Sequence, residues 1–454
     1  MDRILVLKFG GTSVADAAAI GRVARIVRAA SDGARPVVVT SALSGVTDGL
    51  LEAVRAASGG DADGALRMAE DLLARHRGVA DSLLGAAGRV EMDAACERAA
   101  ARLADLFRVI RDHPGTRRAL QDEVVSYGER LSSRLLALAL REAGLDVTRI
   151  DARACIRTDD AYTRAEPLRE ETEACTRDVL LPELEAGRVP VLGGFIGSTL
   201  EGATTTIGRG GSDHSAALVG AALGAAEIQI WTDVNGFLTA DPRLVPAARP
   251  IAHLSYAEAA ELAYFGAKVL HPRTIQPAVE REIPVRICNS YEADAPGTII
   301  DARREVSPEG IKAIAHKRGV TVLRITSARM LGAYGFLRAI FEVFDRHRTP
   351  VDIVATSEVS VSLTVDDPAP VPAIAAELAR LGEVLVEEDH AIVCVVGEGL
   401  RGRPGVAGRV FGALGGINVA LISQGASSTN LTFAVAGADV AEAVIRLHAA
   451  FFGA

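Results

Sequence analysis

An ungapped internal repeat in the last third of the chain constrains the fold most strongly. Five residues between positions 335 and 365 recur in the same order between positions 405 and 435, at a constant offset of 70. The pairs are Gly335 and Gly405, Phe341 and Phe411, Ser357 and Ser427, Leu363 and Phe433, and Val365 and Val435. Two copies of one helix–strand–strand unit indicate duplicated small domains, with chance similarity as the alternative.

The first 300 residues have a different sequence pattern, in which short apolar runs alternate with segments of helical periodicity. The predicted strands cover residues 4–9, 37–39, 189–192, 227–232 and 285–288. The predicted helices cover residues 15–30, 121–143 and 215–223, with two or three more between 52 and 113. Strands that alternate with helices predict an α/β fold with a mostly parallel sheet between helices.

Composition argues against several functional classes. The formal net charge of -9 disfavours a general nucleic-acid binder, which normally carries a basic excess. The five cysteines show no metal-ligand spacing, so we expect no protein-held metal site and a reducing compartment. The first residues show no signal-peptide pattern, and no apolar run reaches the roughly 18 residues of a membrane span, so we expect a cytoplasmic protein.

The segment KFGGTSV, residues 8–14, is typical of a phosphate-binding turn. Lys8 ends an apolar run and supplies a point charge, while Gly10 and Gly11 let backbone N–H groups approach an anion. The segment is neither a Walker A sequence nor a GxGxxG fingerprint. The alternative is a purely structural connection between a strand and a turn.

A second glycine-rich segment, TTTIGRGGSDHSAAL at residues 204–218, precedes a predicted helix. Arg209 is flanked by three glycines, which suits bidentate binding of a carboxylate or phosphate. Ser212 or Asp213 could instead cap the helix, but capping leaves Arg209 unexplained.

Three other candidates are ambiguous by themselves. Thr232 and Asp233 end a predicted strand before an Asn-Gly turn, which ordinary loops also contain. Lys268 in FGAKVLHPRT would usually be a surface lysine. Glu129 would usually be a surface or helix-dipole partner.

Taken in order, these segments closely resemble the aspartate kinases of the amino-acid kinase family. The segments are KFGGTSV, VTSALSGVTD (39–48), YGERLSS (127–133), TIGRGGSD, WTDV with DPR, and FGAKVLHP. The C-terminal repeat resembles the paired ACT domains with which these enzymes sense end products. The resemblance implies a catalytic domain at 1–305 and two α+β ACT domains (βαββαβ, ferredoxin-like) at 306–388 and 389–454.

The resemblance implies that ATP, with Mg²⁺, phosphorylates the β-carboxylate of L-aspartate to 4-phospho-L-aspartate, the first step toward lysine, threonine and methionine. The carboxylate is already ionised at neutral pH, so the site must supply alignment and charge neutralisation instead of a general base. We expect Mg²⁺ to be held by phosphate oxygens and water. Two alternatives stay open: a sibling carboxylate or carbamate kinase, and a catalytically silent amino-acid sensor.

The motif matches also imply individual roles. Lys8, with Gly10 and Gly11, would hold the ATP phosphates, and Asp213 would orient Lys8. Arg209 would grip an aspartate carboxylate. The other residues implied in aspartate binding are Ser41, Thr47, Ser212 and Glu129, the last pairing with the α-ammonium. The other residues implied in nucleotide binding are Thr232, Asp233, Arg243 and Lys268.

An amino-acid effector, lysine or threonine, is implied at the first ACT domain. The implied effector residues are Met330, Gly335, Phe336, Leu337, Asp352, Thr356, Ser357 and Glu358. The chain departs from the family at Leu238, where relatives often carry an aromatic residue, and at Gly332, where lysine-sensing relatives can have histidine. ACT domains commonly pair across subunits, which implies a homo-oligomer, a dimer in the first instance with a tetramer as the alternative.

Overall fold

The computed structural model describes residues 3–208, 210–266 and 269–453. It divides into two compact units, the first comprising Met1–Phe237 with Val269–Ala302 and the second Leu238–Lys268 with Arg303–Ala454. The strands are β1 Ile4–Phe9, β2 Arg35–Thr40, β3 Val147–Ile150, β4 Val189–Gly193, β5 Ile196–Ser198, β6 Thr204–Thr206, β7 Glu227–Thr232, β8 His253–Ser255, β9 Val285–Asn289, β10 Thr298–Asp301, β11 Ala313–Thr326, β12 Val354–Thr356, β13 Ser360–Val365, β14 Glu383–Val396, β15 Leu421–Gln424 and β16 Asn430–Ala436. The α-helices are α1 Ala17–Ser31, α2 Val46–Ser58, α3 Ala62–Leu83, α4 Ala86–Asp112, α5 Arg117–Glu142, α6 Arg169–Glu185, α7 Gly211–Leu223, α8 Tyr256–Tyr264, α9 Gln276–Glu280, α10 Phe336–Arg346, α11 Val371–Leu378, α12 Val406–Leu414 and α13 Val440–Phe452.

The first unit is built on a mostly parallel sheet, as the alternating pattern predicts. Strands β3, β4, β2, β1, β7 and β9 lie side by side in that order, and all of these neighbours pair in parallel. Strand β10 then pairs with β9 in the antiparallel sense. All six residues of β1 are buried, which fits a parallel strand in a sheet covered on both faces.

The sheet positions the ends of its central strands at one edge. Lys8 in β1 lies opposite Val39 of β2 and Ile230 of β7, so these parallel strands end close together. In open parallel sheets, ligands bind beyond the carboxyl ends of the strands. The chain therefore presents the start of KFGGTSV and Thr232 to the same region.

The second unit contains a six-stranded antiparallel sheet in the order β12, β13, β11, β14, β16 and β15. The sequence repeat corresponds to a structural duplication within it. Gly335 and Gly405 precede α10 and α12 as N-cap residues, with left-handed φ values of 77° and 82°. Glycine adopts such backbone angles without the steric cost of a side chain, which explains why both copies carry it.

Strands β11 and β14 extend through both copies. Leu323 of β11 packs in a core with residues of α10, α11 and β13, whereas Ile314 of the same strand packs with β16, α12 and α13. The pairing register of β11 on β14 shifts at 318–322, next to Gly319 with its φ of 75°. The first six residues of β11 thus complete the core of the second copy. The domain boundaries predicted from the sequence stay a prediction.

Within the described ranges, no helix is both long and apolar enough to cross a membrane.

Candidate active site

A cleft of about 720 Å³ opens at the carboxyl ends of the central strands in the first unit. Among its lining residues are ten that the sequence singles out: Lys8, Gly10, Gly11, Ser41, Thr47, Glu129, Ser212, Asp213, Thr232 and Asp233. They come from segments up to 225 positions apart in the chain, and folding brings them to one cavity.

Lys8 and Asp213 form a buried ion pair in this cleft. The Lys8 Nζ lies 2.6 Å from Asp213 Oδ1, and the two side chains are only 11% and 15% exposed. Asp213 lies in the first turn of α7, where the helix dipole adds partial positive charge. The cap of this helix is Gly210, with φ of 75°, so the alternative that Ser212 or Asp213 caps the helix is wrong.

The two glycines of KFGGTSV differ in their surroundings. The Gly10 N–H donates to the Trp231 carbonyl at 3.1 Å, which ties the turn to the end of β7. A Cβ at Gly11 would lie 3.1 Å from the Ala42 carbonyl oxygen. The absence of a side chain at Gly11 therefore allows the two loops that border the cleft to approach each other closely.

Glu129 is a buried carboxyl group that faces the cleft. Its residue is 3% exposed, and its Oε1 accepts a hydrogen bond from the Ala42 N–H at 3.3 Å. Oε2 has no hydrogen-bond partner in the part of the chain that the structure describes. Burial raises the pKa of Glu129 to about 8, against the lowering effect of the Ala42 N–H. A buried carboxyl oxygen without a partner is unfavourable, and a bound cation would compensate it.

Packing leaves Glu129 little freedom. A Cβ at Gly193 would lie 2.8 Å from the Glu129 Cβ, and a Cβ at Gly128 would lie 2.9 Å from that of Ala42. Real Cβ atoms do not approach so closely, so α5 can pack against β4 and the Ala42 loop only with glycine at both positions. The orientation of Glu129 follows from this packing.

Asp122 is a cleft residue that the sequence analysis missed. Its Oδ2 accepts hydrogen bonds from the N–H groups of Thr163 and Thr206 at 2.8 and 2.9 Å, and its Oδ1 accepts from the Thr206 hydroxyl at 2.8 Å. Burial raises the pKa of Asp122 to about 6, although these bonds lower it. Asp122 precedes Glu129 by two helical turns on one face of α5, and this spacing was the available signal.

Three predicted site residues are not among those described at the cleft. Arg209 and Lys268 lie outside the described residues. Arg243 belongs to the second unit, where its Nη2 and Nε donate to Asp241 at 2.7 and 3.0 Å. The Arg243 side chain is 85% exposed. Its nucleotide-binding role stays a prediction.

The predicted effector residues lie in the second unit, around the start of α10 and strands β12 and β13. Gly335 caps α10, Phe336 and Leu337 form its first turn, and Met330 ends a short 3₁₀ helix. The other four are Asp352 before β12, Thr356 at its end, and Ser357 and Glu358 in the following turn.

Asp352 has two partners that the sequence analysis did not identify. Its buried carboxyl accepts hydrogen bonds from the Tyr264 hydroxyl and from Lys317 Nζ, the latter at 3.4 Å. Lys317 Nζ also pairs with Asp366 and lies 4.9 Å from the centre of the Tyr264 ring. Burial raises the pKa of Asp352, and the nearby Asp366 carboxylate adds to this effect. An effector ammonium at Asp352 would therefore compete with Lys317.

In the described part of the chain, no group of three or more His, Cys, Asp or Glu side chains is placed to hold a metal ion.

Comparisons with known proteins show which families the chain is similar to. Residues 3–289 match the sequence profile of the Amino acid kinase family, and residues 393–451 match an ACT domain profile. The chain is 40% identical to lysine-sensitive aspartokinase 3 of Escherichia coli over 462 aligned positions, which cover 100% of both proteins.

Two solved structures of E. coli aspartokinase III share the fold, each at 39% sequence identity. The complex with aspartate and ADP (R-state) has a TM-score of 0.82, covering 99% of this chain and 100% of that one. The complex with lysine and aspartate (T-state) has a TM-score of 0.83 and covers 99% of each chain.

Proposed function

Because the chain belongs to the amino acid kinase family and, within it, to the aspartokinases, we propose that it transfers the γ-phosphate of ATP to the β-carboxylate of L-aspartate. The product would be 4-phospho-L-aspartate, the first intermediate toward lysine, threonine and methionine. The supporting observation is a cleft that contains both the buried Lys8–Asp213 pair and the unpartnered Oε2 of Glu129.

The cleft can supply what this reaction needs. The attacking carboxylate is already ionised, so catalysis depends on alignment and on neutralising charge on the transferring group. Lys8 supplies positive charge, Asp213 holds its ammonium, and the start of α7 adds the helix dipole. Glu129 would bind the α-ammonium of aspartate, while Ser41, Thr47 and Ser212 would donate hydrogen bonds.

The nucleotide side of the cleft would be formed by Gly10, Gly11, Thr232 and Asp233, which line it. Mg²⁺, when bound, would neutralise phosphate charge, held by phosphate oxygens and water as such ions usually are with nucleotides. The exposed Asp233 carboxylate lines the cleft and accepts one hydrogen bond, from the Thr232 hydroxyl at 3.1 Å. A carboxylate in this position suits contact with a hydrated cation. We also assign Arg209 to an aspartate carboxylate, and Arg243 and Lys268 to the nucleotide.

Trapping of the acyl phosphate with hydroxylamine tests the proposal directly. We expect aspartyl hydroxamate from the full-length protein with Mg²⁺-ATP and L-aspartate. Product with another acid but none with aspartate would indicate a sibling kinase. No product with any acid in a panel would favour a catalytically silent sensor.

The pH dependence of aspartate binding should report Glu129. Since the free carboxyl group has a pKa raised to about 8, it is mostly protonated at pH 7 and must lose a proton to pair with an ammonium. We expect KM for aspartate to fall by up to about tenfold per pH unit as pH rises from 6 toward 8, and to level off above it. A KM that does not change over this range in steady-state assays would contradict this role.

We propose lysine as the effector, on the strength of the lysine-sensitive relative and its lysine complex. Gly332 has φ of 65°, a left-handed conformation that residues with a side chain rarely adopt. The backbone at position 332 is therefore suited to glycine. Threonine is the alternative effector. Hydroxamate assays with each amino acid separate the two.

Replacing Asp352 with alanine should relieve feedback inhibition. We expect the half-inhibitory concentration of the effector to rise on the order of 10- to 100-fold, because the effector ammonium loses its carboxylate. Uninhibited turnover should change much less. Asp345→Ala, an exposed change in the same unit, is the matched control. Unaltered inhibition curves for Asp352→Ala would place the effector elsewhere.

We further propose the predicted boundaries at 305/306 and 388/389, a homodimer paired through ACT domains, and a cytoplasmic location. Light scattering on the purified protein separates a dimer from a tetramer or a monomer.

A further inference from the structure

A second polar cavity lies in the first unit, on a face of α5 that does not line the cleft. It measures about 210 Å³ and is lined by Glu91, Arg134, Ala137, Leu138, Arg141 and Arg149. None of these six residues lines the cleft around Lys8. Three arginines and one glutamate give the cavity an excess of positive charge.

The three arginines differ in how well their donors are used. Arg134 Nη1 donates to Glu91 Oε1 at 2.7 Å, and Arg141 Nε donates to the Val147 carbonyl at 3.1 Å. Among the described residues, Arg149 donates one long hydrogen bond, from Nη2 to the Arg130 carbonyl at 3.5 Å. Its buried Nε has no partner among the described residues. Burying a donor without a partner is unfavourable, so Arg149 is the group that a bound ligand would satisfy.

The charges around Arg149 also favour a bound anion. Burial lowers the pKa of Arg149 to about 10, and Arg134, Arg130 and Arg153 contribute to the decrease. Asp151 opposes them, but its carboxylate is bound to Arg153 at 2.6 Å. The guanidinium stays protonated at neutral pH. Arg149 is therefore a cation whose neighbours do not fully compensate its charge.

We propose that this cavity binds a small tetrahedral oxyanion of the phosphate class, with Arg149 as its central ligand. A guanidinium fork matches the oxygens of phosphate, and Arg134 and Arg141 would supply further donors. The cavity is smaller than the roughly 300–1,000 Å³ of pockets that hold drug-sized ligands, which favours inorganic phosphate over a nucleotide. This site is independent of the proposed kinase reaction.

Thermal unfolding of the full-length protein tests the site. Inorganic phosphate is titrated into a phosphate-free buffer, with chloride at matched ionic strength as the reference. We expect a saturable increase in Tm of about 2–4 °C at concentrations well above Kd. The increase should disappear in Arg149→Gln and persist in Arg25→Gln, a change at an exposed arginine of α1. Sulfate should reproduce it in the wild-type protein.

A Lys8→Ala variant distinguishes this cavity from the active cleft, which also attracts phosphate. Persistence of the increase in Lys8→Ala supports the proposal. An equal increase in Arg149→Gln and wild type, or an increase with chloride alone, would overturn it. If Arg149→Gln does not fold, Arg141→Gln is the second variant, because Arg141 is exposed. We expect this variant to bind phosphate at least about fivefold more weakly than the wild-type protein. Unchanged phosphate binding by Arg141→Gln would also overturn the proposal.

Discussion

Lys8→Ala is expected to lower kcat for aspartyl phosphate formation by about 10³-fold or more. In phosphoryl-transfer enzymes, loss of one cation that faces the transferring group lowers kcat by roughly 10³- to 10⁵-fold. Lys8 is buried at the end of β1 with its ammonium held 2.6 Å from Asp213, so its charge has a fixed position beside the cleft. The hydroxamate assay at saturating ATP and aspartate measures the loss.

The controls for this variant separate chemistry from folding. Removing Lys8 leaves Asp213 without its partner, which destabilises a buried carboxylate, so the thermal unfolding of the variant must be recorded alongside its turnover. Effector binding measured by calorimetry should stay close to wild type, because the predicted effector residues lie in the second unit. Arg25→Ala should retain full activity. A folded Lys8→Ala protein with normal turnover would remove Lys8 from the mechanism.

Above the raised pKa of about 8, where Glu129 is ionised, Glu129→Gln is expected to raise KM for aspartate by about 100-fold, with a smaller effect on KM for ATP. Loss of a buried charge partner typically costs about 2–5 kcal/mol, and about 2.7 kcal/mol corresponds to 100-fold. Glutamine keeps the shape of the side chain and can still accept the hydrogen bond from Ala42, so packing against Gly193 should survive.

Glu123→Gln on the same helix is the matched control, because Glu123 is partly exposed and pairs with Arg102. It should leave both KM values unchanged. The pH dependence of KM described above should also vanish in Glu129→Gln. Equal KM values for wild type and Glu129→Gln would show that the α-ammonium of aspartate binds elsewhere.

Local sequence patterns predicted the framework of the first unit well. Strands β1 and β7 cover 4–9 and 227–232, the same residues as the predicted strands. In β1 the signal is a nearly continuous apolar run, which is typical of a parallel strand buried on both faces. Helix α7 begins four residues earlier than its Ala/Leu pattern, at Gly211. Its first turn is formed by small and polar residues that face the cleft, and apolar periodicity gives no signal there.

Contacts between distant segments could not be predicted in this way. Asp122 bonds to Thr206 across 84 positions, and Tyr264 bonds to Asp352 across 88. The partners of these two carboxylates lie in segments far away in the sequence, so local patterns give no sign of the hydrogen bonds that folding creates. Arg149 is a similar case, because a single arginine in a short strand gives no indication that other arginines surround it.

The shared strands of the second unit have a consequence for protein engineering. Arg318 and Val320 of β11 lie opposite Ala391 and His390 of β14, so the two ends of the intervening segment meet in adjacent strands. Residues 320–389 thus form a segment inserted into the other copy, and the first and last residues of this segment lie close together in adjacent strands. A chimaera that exchanges residues 320–389 between relatives would preserve the core to which Ile314 contributes. A simple truncation at 389 would instead deprive the remaining C-terminal fragment of a strand that its fold requires.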